Sequence, residues 1–497
     1  MTISDKTRVA PHNMAINLSH SGGLERQHVT ARSARDRQVH TLWAHGRWEK
    51  LAAILPDFCC NHPPLRYRGL SVCTGPDEPK SDLPLLLQIW MRQPNIAMDF
   101  SLKRNPPRTA APSSAIEIQP VDTRGRTSDF LRVPHTVFKD DPQWIPPLDL
   151  ERRLHISTSR NPYFQHAEAR LWVAYREGAP VGRISAQIDR LHLERYGDAT
   201  GHFGFLDSVD DVLVFQQLLA TAEQWLRSKG IVRALGPMSF SLWHETGLLV
   251  DGFDRPPSVL MGHAQPYYES HILRAGYRPI RDLIAYAYDC ATPTPPTAAR
   301  IIERSNRRSK IDIRPIRRGR KDINEEFAVI MDIINDSWSD NWGFVPMTAE
   351  EVHEFGSLLR MLTRPGDVAI AEYDGEPAAF ILVMPNINEA ISDLRGRLLP
   401  LGWAKLLLRL KWWRVRSMRM PLLGVRKKHH GSTTGAALAL MLIEAVRSFN
   451  FENGAEFAEL SWVLDDNTRI KHIIDLAGGQ IYKRYRIFEK DIPAADR

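Results

Sequence analysis

The chain has few cysteines and no long apolar run. Four of its 497 residues are cysteine, Cys59, Cys60, Cys73 and Cys290. Their spacing repeats no CxxC pair or other zinc pattern, so neither a metal module nor a disulfide framework is expected. No stretch approaches the roughly 18 consecutive apolar residues that cross a bilayer, and no charged, apolar, small series at the N-terminus reads as a signal peptide. The expected location is the cytoplasm, with peripheral contact on the inner face of the cytoplasmic membrane. Charge of one sign is also scarce. The formal net charge is +7, and residues 1–97 hold 12 Lys/Arg against 8 Asp/Glu, leaving 53 against 50 for the rest. A body so nearly balanced lacks the basic stripe of a dedicated nucleic-acid binder.

What is present is enough chain for two or three domains at about 150 residues each. Residues 1–97 mix His, Arg, Pro and Trp without a sustained period, and the expectation is a disordered or non-native leader over 1–110, with Met98 as the natural start. From residue 115 the signals sharpen. "AIEIQPV" (115–121) reads as a strand and "SDFLRVPHTVF" as an amphipathic helix. "ARLWVAYREGAPVGRISAQI" (169–188) reads as two strands about a Glu177-Gly178 turn. "DVLVFQQLLATAEQWLRSKG" (211–230) has helical period and a terminal Gly, "IVRALGPMS" returns as a strand, and residues 267–288 give helix, glycine and strand.

After a Pro-rich linker (291–310) the same order recurs. "IDIRPI" is a strand, "INEEFAVIMDIINDSW" a helix, and residues 367–385 a hairpin about Asp374-Gly375. "GAALALMLIEAVRSFNFENG" is the long helix, "AEFAELSWV" (455–463) a strand, and residues 469–490 the last helix and strand. The expected fold class is α/β with mixed sheets, built from two copies of one unit at 111–290 and 311–492.

Between the strand ending at Val425 and the long helix lies His430-Gly431-Ser432-Thr433-Thr434-Gly435. Small side chains at a helix N-terminus leave backbone N–H groups and the positive dipole end open to a pyrophosphate. Arg426, Lys427, Lys428 and His430 add positive character. A solvated basic turn before a buried helix has the same sequence features, and the loop alone supports both readings.

The arrangement resembles the GNAT superfamily of acyl-CoA-dependent N-acyltransferases, in which a strand, a loop of the form Arg/Gln-x-x-Gly-x-Gly/Ala and a long helix hold the CoA pyrophosphate. His430 and Thr433 depart from that pattern. In "LSWVLDDNTRIKHIIDLAGG" Asn467 and Gly478 fall in the superfamily's register, while Ile474 stands where a general-acid Tyr is common. The first copy has the acidic "FGFLDSVDD" before its long helix, which makes it a degenerate partner domain. The stretches "DPQWIPPL", "NPYF", "GLLVDGF", "NWGFVPM", "LSWVLDDN" and "KRYRIFEK" resemble a narrower tandem GNAT-like bacterial family that includes ceramide synthases. The resemblance implies acyl-CoA as co-substrate, no tightly bound cofactor or metal, and transfer to the amine of a sphingoid base. It places the CoA contacts at Val425, 430–435 and Asn467.

Acyl transfer to an amine needs a base, an oxyanion donor and a proton for the thiolate. Glu459 on the strand after the long helix and Glu389 after the hairpin are the candidate bases, and Tyr482, with Tyr485, is the candidate acid. A solvent-facing Glu459, a surface-loop Glu389 and core-packed tyrosines are the bland alternatives. His244, Glu245 and Asp251 gather in "SLWHETGLLVDGF", with ordinary loop hydrogen bonding as the default. The insert 396–420 alternates Leu, Trp and basic residues at helical spacing, which suits either an anionic membrane interface, with Trp412 and Trp413 at headgroup depth, or packing on the second domain. Two other functions compete: an aminoacyl-tRNA-dependent Fem-type transferase, disfavoured by the near-neutral body, and a non-catalytic acyl-CoA-binding or regulatory protein with a worn GNAT fold.

Overall fold

The computed structural model describes residues 115–493 except 309, 318, 320, 321, 413 and 414. The leader expected over 1–110 lies outside the described residues. The first half runs β1 (Ile116–Pro120), α1 (Arg124–Val137), α2 (Asp149–His155), β2 (Ala167–Arg176), β3 (Ala179–Asp189), α3 (Arg190–Tyr196), β4 (Thr200–Ser208), α4 (Val212–Ser228), β5 (Arg233–Gly236), β6 (Leu248–Asp251), α5 (Tyr268–Arg274) and β7 (Arg278–Asp289). The second runs α6 (Pro296–Arg308), β8 (Ile311–Pro315), α7 (Asp322–Trp338), α8 (Ala349–Leu362), β9 (Val368–Tyr373), β10 (Glu376–Pro385), α9 (Ile387–Ile391), α10 (Gly402–Trp412), β11 (Ser417–Val425), α11 (Thr433–Glu452), β12 (Phe457–Leu464), α12 (Thr468–Ala477) and β13 (Gln480–Asp491).

Local chemistry accounts for most of these elements. The two expected hairpin turns have Glu177 and Gly178, and Asp374 and Gly375, all at positive φ, the mirror-image turn that matches strand twist. Thr348 and Glu351 form a reciprocal capping box at the start of α8, satisfying two backbone donors there. Ser432 caps α11 by accepting from the Gly435 amide, and the Ala/Leu-rich run that follows suits a helix. The stretch read as a linker is helical from Pro296, because proline at the first helical position loses no hydrogen bond. The insert is not one helix either: α10 covers Gly402–Trp412, and Ser417 already opens β11.

One mixed sheet joins the halves in the order β1-β2-β3-β4-β5-β13-β7-β12-β11-β10-β9-β8, with β6 also paired to β13. The terminal strands are exchanged. β13, the last strand of the second half, lies beside β5 of the first, and β7, the last of the first half, lies beside β12 of the second. The two parallel pairs, β4–β5 and β11–β12, occupy corresponding places on either side.

In the second half, Ala458 and Leu460 of β12, Met418 and Met420 of β11 and the α11 residues Leu438, Leu440 and Leu442 share one core. Phe380, Leu382 and Met384 of β10 point the other way, into a core with Ile330, Ile333 and Ile334 of α7. Strand alternation therefore puts Glu459 on the α7 face.

Candidate active site

β11 and β12 pair in register only from Ser417↔Phe457 to Met420↔Leu460. Beyond that point β11 continues to Val425, and β12 pairs onward with β7 through Val463↔Ile284. The ladder between them stops there, leaving a gap in the pairing on the side where β11 runs into the loop before α11. In that loop Gly431 has φ +70°, a backbone conformation glycine adopts at little cost. A Cβ on Gly435 would lie 2.2 Å from the His429 carbonyl oxygen, so only glycine permits this close turn. Among the described residues the amides of Gly431, Thr433 and Thr434 donate to no protein acceptor. They are the free donors of a helix N-terminus.

The basic side chains of the loop point elsewhere. Arg426 pairs with Asp332, Lys427 with Asp340 and Lys428 with Glu376. His430 Nε2 lies 2.6 Å from the Val425 carbonyl oxygen, and Arg469 donates to its Nδ1 at 3.0 Å. Those two bonds place the ring proton on Nε2. Arg469, from the first turn of α12, is thus the cation held over the loop, a residue that sequence reasoning missed. Asn467 accepts from the Ile470 amide as the cap of α12. Ile474 is fully buried in the α11 core.

At the root of the gap is a buried polar cluster. Glu459 is 0 % exposed. Its carboxylate accepts from the Ser461 and Tyr482 hydroxyls, and the Arg419 Nε stands 3.9 Å from its Oε1. Arg419, opposite Glu459 in the parallel register, donates to Ser461 Oγ at 3.0 Å and to the Val259 carbonyl at 2.7 Å. Burial pulls Arg419 below its ordinary value while the Glu459 charge opposes the shift. Burial and the Glu459 charge push the Tyr482 hydroxyl well up, so it stays protonated and donates. Tyr485 is raised by burial too, and its hydroxyl has no hydrogen-bond partner among the described residues.

A segment of the first half closes over this cluster. Lys483, wholly buried, donates to the Arg255 and Pro256 carbonyls at 2.7 and 3.1 Å. Asn388 donates to Pro257 O at 3.0 Å, and Asn386 accepts from the Val259 amide at 2.9 Å. Desolvation lowers Lys483 to about 8. The strap Arg255–Val259 is therefore fastened to the second half by side chains from β13, β11 and the start of α9.

No family model matches the chain. It is 42 % identical over 376 residues to bacterial ceramide synthase of Caulobacter vibrioides, covering 76 % of this chain and 97 % of that protein. The chain belongs to the bacterial ceramide synthase family. It is an N-acyltransferase. Protein YghO of Escherichia coli K12 is 44 % identical over 364 residues, 73 % of this chain and 92 % of YghO. Among solved structures, a tandem GNAT protein from the clavulanic acid biosynthesis pathway aligns with a TM-score of 0.45 at 14 % identity, over 77 % of this chain and all of that one. A GCN5-related N-acetyltransferase from Sphaerobacter thermophilus aligns with a TM-score of 0.44 at 13 % identity, over 78 % and 99 %.

In this member of the ceramide synthase family, Glu459 and Tyr482 of the expected site come together, Val425 meets the 430–435 loop through His430, and Asn467 serves as the cap of α12. Glu389 does not join them. Its carboxylate accepts from the Arg416 and Ser417 amides and the Ser417 hydroxyl, and so fastens the start of β11. His244 bonds Ser241 Oγ, Glu245 pairs with Arg152, and Asp251 lies on β6, so among the described residues no hydrogen bond joins the three. The acids before α4 are also engaged: Asp207 with Arg183, and Asp211 with Arg176 and as the helix cap. Among the described residues no group of three or more His, Cys, Asp or Glu is placed to hold a metal.

Proposed function

We propose that the chain transfers an acyl group from acyl-CoA to the amine of a sphingoid base, with chemistry at the Glu459–Tyr482 pair and the CoA pyrophosphate at residues 430–435. The observation that carries this reading is the pair's position, at the root of the gap on the side where β11 runs into the loop with three free helix-terminal amides. In the reaction the amine nitrogen attacks the thioester carbonyl carbon, a C–N bond forms and the C–S bond breaks. Glu459 accepts the proton leaving nitrogen. Tyr482 gives its proton to the departing thiolate and regains one from Glu459, so the pair ends as it began. The Tyr482 hydroxyl thereby takes the part for which the superfamily uses a Tyr where this chain has Ile474. Asn467 borders the CoA path, and Val425 closes it at the end of β11. Because Glu459 is covered, the Arg255–Val259 strap moves as substrates enter.

The acceptor and acyl chains of this reaction partition into membranes, and the insert supports a peripheral contact. Leu399, Leu401, Trp403 and Leu408 are all exposed on or beside α10, large apolar side chains that suit the interface of a bilayer. Trp413 and the Trp412 side chain lie outside the described residues. No helix among the described residues is long and apolar enough to cross a membrane.

The test is an assay of the full chain with palmitoyl-CoA and sphinganine, following N-acylated lipid and free thiol beside a Gly435→Trp variant. Product that disappears in the variant supports the reading. Saturable palmitoyl-CoA binding without acylation of any amine would favour the non-catalytic alternative.

A further inference from the structure

A cavity of about 290 Å³ lies away from Glu459. It lies on the first half of the chain, walled by β3–β5 and α3, and closed by residues 339–346 and Glu351 of the second. Its place corresponds to that of the Glu459 cluster. The parallel register of β4–β5 sets His202 opposite Leu235, as that of β11–β12 sets Arg419 opposite Glu459. Where the second half has Glu459 the first half has Leu235, and the space beside it is open.

The lining has a definite chemistry. His166 lies 2.9 Å from Asp189 through Nδ1 and 3.2 Å from Glu351 through Nε2. Burial opposes its protonation, but the two carboxylates outweigh it and raise His166 to about 9. Two carboxylates, each held low, thus share one imidazolium, and that end of the cavity keeps an excess negative charge. His202, 5 % exposed, lines the same space with its Nδ1 unpartnered among the described residues. Desolvation lowers it to about 3, so its ring is neutral at physiological pH. Leu242, Trp243 and Trp342 also line the cavity. The cations that line or adjoin it are engaged, Arg233 with Asp198, Lys427 with Asp340 and Arg195 with the Ser339 carbonyl. The His166 end, with its excess carboxylate, a free imidazole nitrogen and aromatic lining, suits an ammonium on an apolar stem. The cavity also abuts the loop of the second half, because Lys427 pairs with Asp340 and donates to Ser339 Oγ, both lining residues.

We propose that this cavity binds the acceptor as its ammonium form, a long-chain primary amine held by Asp189, Glu351 and His202 at a loading site separate from the Glu459 cluster. The assignment of the amine as the acceptor rests on the acyltransferase reading; the site itself rests on the cavity. An ammonium cannot attack a thioester, so an amine held here is stored and not yet reacting.

Calorimetric titration of the full chain at pH 7 with octylamine, and with 1-octanol as the uncharged control, tests this. The proposal expects octylamine to bind and octanol not to. Leu242→Trp, which fills the cavity, and Glu351→Gln, which removes a charge, should each weaken octylamine by about tenfold or more. Gly435→Trp, at the loop, should leave octylamine binding as it is. Equal binding of octanol, no binding of octylamine, or unchanged octylamine binding in a folded Leu242→Trp would overturn it. The two readings fail separately. Sphinganine acylation with an unaltered amine KM in Leu242→Trp would remove the cavity and keep the function. Selective octylamine binding lost in Leu242→Trp, without acylation of sphinganine, would keep the cavity and remove the sphingoid acceptor.

Discussion

The Tyr482 hydroxyl donates to the Glu459 carboxylate across β7, a strand that belongs to the other half of the chain. The exchange of terminal strands makes this contact possible, since β13 reaches the neighbourhood of β12 only by pairing with β7. The candidate acid, base and cover thus come from both halves, and neither half alone assembles the site.

Replacing the acid should separate chemistry from binding. Tyr482→Phe keeps the ring that packs edge-on against Phe457 and removes only the hydroxyl. Its kcat should fall by about a hundredfold, with palmitoyl-CoA binding unchanged, as expected when one positioned proton donor is lost. Steady-state rates alongside direct CoA-thioester binding check this, and an unchanged kcat would remove Tyr482 from the mechanism.

Lys483 should make stability depend on alkaline pH. Its folded value near 8 lies below the ordinary lysine value, so between about pH 8 and 10.4 the unfolded chain binds more protons there than the folded one. Stability from this group therefore rises with pH across that window. Subtracting thermal melts of Lys483→Met from those of the wild-type protein at pH 7.5, 8.5 and 9.5 should show the wild type gaining relative to the variant as pH rises. A flat difference would mean the ammonium is not held desolvated against the Arg255 and Pro256 carbonyls.

His166 should act in the opposite sense. Its folded value, about 9, is above the ordinary histidine value, so its stabilisation is fully present below about pH 6.5 and is lost as pH rises through 9. The melting difference between wild type and His166→Gln should shrink across that range. A difference that grows with pH would contradict the ion pairs with Asp189 and Glu351.

Much of the secondary structure was legible because its causes are local. Glu177-Gly178 and Asp374-Gly375 are turn dipeptides, and the long helix after Gly435 announces itself by composition. The strand exchange was not legible, since β7 and β13 carry the same pattern whichever neighbours they pair with. Glu459 and Tyr482 could be proposed from their strands, but their partners could not. Arg419 is a single charge inside an apolar strand, which is the signal that should have raised it. Lys483 looked like one more basic residue in "KRYRIFEK". The loop's Arg426, Lys427 and Lys428 suggested a phosphate-facing patch because their acidic partners, Asp332, Asp340 and Glu376, are distant in sequence. The Arg255–Val259 strap carried no pattern at all.

The exposed apolar side chains of the insert should govern membrane contact. The triple variant Leu399→Ser, Trp403→Ser, Leu408→Ser removes side chains that are 47, 45 and 50 % exposed, so folding should be little affected. Flotation with vesicles containing anionic phospholipid should show wild-type association reduced about tenfold or more in the variant. Equal flotation would assign the patch to packing or to another partner.

The central claim is that Glu459 receives the proton of the attacking amine. The most direct test is Glu459→Gln, which keeps the side chain's shape and can still accept from Tyr482 through its one carbonyl oxygen while its NH2 faces Ser461. Sphinganine acylation and palmitoyl-CoA binding should be measured on the same preparation. The account predicts binding within about twofold of wild type and acylation reduced by at least about a hundredfold; acylation at the wild-type rate would place the base elsewhere and contradict it.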